Sequence, residues 1–206
     1  MLDLGLILTV VLIHSVALVS PGPDFVIACR NTMLYNRKTG IFTAVGFGLG
    51  IGVHISYAVF GLTWLISNNE VVFSLIQYAG ASYLVFIGVQ SLRSQNIAIS
   101  NDSTIAKRKI SKWKAVRIGF LTNVLNPKAT LFFLSLFSTV LNPSVSSETL
   151  TLISIILVIS TIIWFSLVAI FVSRRQFMII VNRYEKRVNQ FFGILLIGIG
   201  VVIVFL

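Results

Sequence analysis

Charge is what this chain has least of. Only 11% of its 206 residues are Asp, Glu, Lys or Arg, against about a quarter in soluble globular proteins. Water is therefore not its main solvent. Acidic residues number six against sixteen basic ones, which leaves a net charge of +10. A single cysteine, Cys29, excludes an internal disulfide and a thiolate metal cluster. No His-Glu-x-x-His or Gly-x-Ser-x-Gly pattern supplies a metal site or a nucleophile with its base. Proline is rare, with four residues in all.

Apolar residues make up 56% of the chain, in runs too long for the core of a 206-residue globule, and their abundance excludes disorder and fibre. A helix needs about 20 mostly apolar residues to cross the hydrocarbon core. Uncharged runs of about that length occupy residues 4–20, 41–66, 71–92, 118–141, 150–172 and 188–206, and their one charged side chain is Lys128. The expected fold is an all-α integral membrane protein of six transmembrane helices, one polytopic domain over residues 1–206. The N-terminus lacks a basic start, carries Asp3 and has no small-x-small site before Pro21, so it reads as a retained span.

Fifteen of the sixteen basic residues fall in the first, third and fifth connections, and none in the second or fourth or at either terminus. The positive-inside rule then puts both termini outside and the basic loops in the cytoplasm. Topology and contact with anionic lipid explain the basic loop at about 93–117, so no nucleic-acid partner is expected. Glu70 and Glu148 sit where helices begin and read as first-turn charges.

Three spans followed by three spans bring the second half into the membrane from the opposite side, as inverted repeats do. The two halves, about 1–95 and 107–206, each carry a proline motif in the first span: Ser20-Pro21-Gly22-Pro23-Asp24 and Asn126-Pro127-Lys128. Pro23 and Pro127 are 104 residues apart, and 15 residues separate Pro23 from Lys38 and Pro127 from Asn142. At 1.5 Å per residue that is about 22 Å of helix, so both breaks are expected at depth. Proline stops or kinks a helix, and freed backbone groups in hydrocarbon must face protein, water or a ligand. The competing reading has Pro21-Gly22-Pro23 end the first helix at the inner interface, with Asp24 capping the next.

Pro21-Gly22-Pro23-Asp24-Phe25, then Arg30-Asn31, Gly40, a glycine-laddered second span with His54, and Gly119-Phe-Leu-Thr-Asn123 leading to Asn126-Pro127-Lys128-Ala129 together resemble the LysE/RhtB family of bacterial amino-acid exporters. The resemblance spans essentially the whole chain and is nearest to the RhtB branch. It implies an exporter of threonine, homoserine, homoserine lactone or a similar amino acid in the bacterial cytoplasmic membrane, exchanging it for protons, with no cofactor and no metal. Asn36-Arg37-Lys38-Thr39-Gly40 departs from the branch's usual Gly-Arg-Arg-Ala-Gly. A further copy of the chain is a candidate partner.

Asp24 follows two prolines and opens the next helix, so backbone amides favour its ionised form while burial favours its protonated form. Such a carboxylate can hold a proton or a substrate ammonium in turn, or simply cap. Lys128 lies about 15 Å into its span and needs a partner, Asp24 or a substrate carboxylate, unless it snorkels. Asn123 and Asn126 are placed to bond freed carbonyls or substrate. Asn31 is expected on the face of Asp24, seven residues on. His54 is either hydrogen-bonded to a neighbouring helix or part of a proton route, and Gly46 and Gly50 read as packing positions. His14 reads as a hydrogen-bonded packing residue. The alternatives to amino-acid export are export of an inorganic cation, which would want several carboxylates, a membrane-embedded enzyme, and a scaffold.

Overall fold

The computed structural model of the chain describes residues 2–20, 22–68, 70–93, 109–140 and 145–172, with shorter pieces between 183 and 201. Pro21, most of the basic loop at 93–117, Arg174 and Arg175 lie outside the described residues. The regular structure among the described residues is helical: α1 (Leu4–Val19), α2 (Pro23–Leu34), α3 (Arg37–Asn68), α4 (Glu70–Arg93), α5 (Lys112–Val124), α6 (Pro127–Val140) and α7 (Ser147–Val172), then α8 (Asn189–Gly198). Arg37–Gly61 and Ser147–Val172 are each long and apolar enough to cross a membrane unbroken, and α1 with α2 makes a third such stretch, bent by 57°. α4, α5 with α6, and α8 fall on the other three apolar runs.

Caps fix where helices begin. The Asp3 carboxylate accepts from Leu6 N at 2.9 Å and opens α1, while Ser111 Oγ accepts from Lys114 N at 3.2 Å and opens α5. α5 thus starts before the uncharged run at 118, through Lys112, Lys114 and Arg117. Helical hydrogen bonds do not require apolar side chains, and basic ones reach out to the interface. At the start of α7 the carboxylate of exposed Glu148 is held below the usual range by its own backbone amide and the Ser146 hydroxyl.

Contacts between helices give their directions. Asp3 N donates to Thr149 Oγ1 at 3.2 Å and His14 meets Thr161 eleven and twelve residues on, so α1 and α7 run parallel. Gly40 faces Ala169 and Gly48 faces Ile162, so α3 and α7 run antiparallel. Gly88 stands opposite Gly193, and Ala81 opposite Gly200, so α4 and α8 are antiparallel too.

The tightest crossing joins α3 to α5. A Cβ on Gly46 would overlap Val116 O and lie 2.6 Å from Phe120 N, and one on Gly119 would overlap Thr43 O. Two bare glycines let the backbones touch, which is how helices associate where no hydrophobic effect draws them together. Ala44, Gly48, Gly52 and Ser56 also recur at four-residue spacing on α3; Ala44 is buried and Gly48 packs, but nothing approaches Gly52 and Ser56 is exposed.

Polarity is distributed inside out. Leu4, Leu8 and Leu12 of α1 and Ile155, Ile159 and Ile163 of α7 form outward stripes, while His14, Asn31, Thr43, His54, Asn123 and Thr161 are buried. Apolar stripes suit a lipid surround, and buried polar groups there bond one another across helices.

Candidate functional site

Both proline motifs separate helices. α1 ends at Val19 and α2 opens on Pro23; α5 ends at Val124 and α6 opens on Pro127. Each proline is the first residue of the second piece, where a missing N–H is not needed and the fixed φ suits a helix. Ser20 and Gly22 between α1 and α2 are extended. At the second break Asn126 caps α6, its Oδ1 accepting from Lys128 N at 3.0 Å.

Pro127 also removes the donor that Asn123 O would have in a continuous helix. Asn126 N fills the role at 2.9 Å, and His54 Nε2 adds a second bond at 3.0 Å. A carbonyl only accepts, so Nε2 carries the proton and Nδ1 accepts from Tyr57 Oη at 2.6 Å. His54 thereby ties α3 to the second break.

The breaks also hold each other. Asn123 Nδ2 donates to Asp24 Oδ2 at 2.7 Å, and Lys128 Nζ donates to Ser20 Oγ at 3.1 Å and Ser20 O at 3.3 Å. Each charged residue is thus bound by a polar group of the opposite break. Gly22 sits against Lys128, with a notional Cβ 3.5 Å from its Nζ.

These groups line one cavity of about 60 Å³ together with His14, Thr161, Ile51, Phe132, Phe133 and Phe165. That is room for a few waters or a compact solute. Asp24 Oδ1 and Asn123 Oδ1 are buried with no hydrogen-bond partner. Unsatisfied acceptors beside an ammonium with hydrogen to spare suit a molecule that is a cation at one end and an anion at the other.

The predicted residues Gly22, Asp24, Asn123, Asn126 and Lys128 are therefore brought together. Asn31 is buried on α2 but bonds Thr43 Oγ1 at 3.0 Å, joining α2 to α3 outside the cavity wall. Pro23 and Pro127 are exposed and shape the breaks from behind. Pro21 lies outside the described residues. Sequence reasoning missed Ser20 as a partner for Lys128, although Ser20 borders the proline motif. It missed Thr161 as well, and a Ser-Thr pair in an apolar run gives no signal.

The sequence profile of the family described as LysE type translocator matches residues 15–206. The chain belongs to this family. Among its relatives are the threonine efflux protein of Escherichia coli (strain K12), 31% identical over 96% of this chain and 97% of the relative, and that of Salmonella typhi, 31% identical over 96% and 97%. A membrane protein of Bacillus subtilis (strain 168), YrhP, is 26% identical over 92% and 93%. No solved structure matches. As a LysE-type translocator the chain is a multi-pass membrane transporter and not an enzyme. The cavity between the two breaks is the candidate place for its cargo.

Proposed function

We propose that this translocator exports a small zwitterionic amino acid, of the threonine and homoserine kind, from the cytoplasm in exchange for protons. The observation that carries the reading is the meeting of Asp24, from the first break, and Lys128, from the second, on one cavity. A substrate ammonium takes up the unpaired Asp24 Oδ1 and Asn123 Oδ1, and the carboxylate takes the Lys128 ammonium. A lactone has no carboxylate for Lys128, so free amino acids are preferred over homoserine lactone.

Asp24 accounts for the coupling. A proton on its carboxyl releases the ammonium, and loss of that proton readmits one, so substrate and proton use the site alternately. The six spans then act as two inverted halves of three that rock about the breaks. The parallel α1 and α7, antiparallel α3 and α7, and antiparallel α4 and α8 support that arrangement.

Inside-out membrane vesicles test the reading. Labelled threonine or homoserine should accumulate when the lumen is acidified and stop accumulating when the gradient is collapsed. Accumulation unaffected by the gradient would sink the antiport. Lack of accumulation of either, with a divalent cation moved instead, would favour the inorganic-cation reading.

A further inference from the structure

His14 is buried in the cavity wall at 3% exposure, six residues before Ser20 on the unbroken part of α1. Its Nε2 lies 3.1 Å from Thr161 Oγ1. The Thr161 hydroxyl has one hydrogen, and it is donated to Leu157 O at 2.8 Å. Nε2 must therefore carry the ring proton and donate to Thr161, which leaves Nδ1 as a bare lone pair. That Nδ1 is buried and has no hydrogen-bond partner. Phe132 and Phe133 flank the ring, with centroids at 6.2 and 5.7 Å.

A buried acceptor held in a fixed tautomer by a neighbour that needs nothing more is built to receive one donor. Packing alone would not account for it, because a phenyl ring would fill the same space without stranding a lone pair. The donor must come from the cavity. Asp24 and Asn123 already match the substrate ammonium, and among the described residues Asp24 is the only carboxylate on the wall, so a second ammonium at His14 would lack a counter-charge. A neutral hydroxyl fits.

Distances agree. Five helical steps to Val19 and one extended step separate His14 from Ser20 by about 11 Å at most, and Ser20 marks the Lys128 end. A hydroxy amino acid measures about 4 Å from carboxylate to hydroxyl, and two hydrogen bonds of about 2.8 Å bring the reach to roughly 10 Å. The geometry points to His14 as the residue that reads the side-chain hydroxyl of the cargo, with Thr161 as the positioning residue that sets its tautomer. This rests on the exporter reading above and deepens it by naming the residue that recognises the cargo's side chain.

The test is the ratio of threonine to 2-aminobutyrate transport by the full-length protein in inside-out vesicles, since the two differ by one hydroxyl. The native protein should favour threonine about tenfold, the effect of leaving one buried acceptor unmatched. His14→Leu should bring the ratio close to one while 2-aminobutyrate still moves. His14→Gln, which can donate to Thr161 and still present an oxygen, should restore part of the preference. A native-like ratio in His14→Leu overturns the assignment, and so do Leu and Gln variants that lower both substrates equally with the protein still in the membrane. Native vesicles that move neither amino acid overturn the exporter reading and this one with it.

Discussion

At the scale of single residues, the candidate site is an acid and a base each bound by a polar group of the other break. Asp24 leans on Asn123 at 2.7 Å and Lys128 on Ser20 at 3.1 Å. Asp24→Asn keeps the shape and removes the proposed proton carrier, so gradient-driven efflux should fall at least tenfold at unchanged membrane abundance. Lys128→Met should raise the threonine concentration for half-maximal transport about ten- to a hundredfold, the range of a charge-assisted hydrogen bond. Lys128 was legible as the one charge inside an apolar run, and Asp24 as the acid that follows two prolines and opens a helix. Ser20 and Thr161 are ordinary residues there, and only the fold turns them toward the cavity. His54 was legible as a bonded histidine or a proton route, but its partner, the carbonyl whose helical donor Pro127 removes, depends on which helix α3 crosses. Removing that bond with His54→Leu should cost about 1–3 kcal/mol of stability, read as a lower unfolding temperature in detergent.

At the scale of elements, the two prolines and the glycine crossing set the geometry. Pro23 and Pro127 were readable as breakers, and they act as first residues of α2 and α6. The start of α5 at Lys112 was not readable from the apolar run, because a basic first turn is tolerated where the helix meets the interface. The crossing of α3 with α5 brings Asn123 within reach of His54, and it depends on bare backbone at Gly46 and Gly119. Gly119→Val should push the helices apart at a cost of about 1–3 kcal/mol or more and lower both abundance and transport. Gly52→Ala, with nothing within 4 Å of the new methyl, should be neutral in the same thermal assay. Gly46 and Gly52 look alike in sequence, and only tertiary contacts distinguish the packed glycine from the open one.

At the scale of the whole molecule, polar groups are gathered between helices and apolar stripes face outward, as a lipid surround requires. The six apolar runs and their charge parity were legible because membrane insertion acts on local composition. The meeting of residues 24 and 123, 99 apart, was not, since it depends on how the halves are seated. With Cys29 replaced, single cysteines at Leu2 or Ser146 should react with an impermeant maleimide on intact cells, and those at Lys38 or Lys112 only after permeabilisation. Labelling of all four from outside would reject the topology. The central claim is that one acid and one base, delivered by opposite broken helices, hold the two ends of a zwitterion. Its most direct measurement is calorimetric binding of threonine, threonine amide and N-acetylthreonine to the purified native protein, Asp24→Asn and Lys128→Met. The native protein should bind threonine far more tightly than either derivative, Lys128→Met should no longer distinguish threonine from its amide, and Asp24→Asn should no longer distinguish it from the N-acetyl compound. Native binding indifferent to both blocking groups would contradict the account.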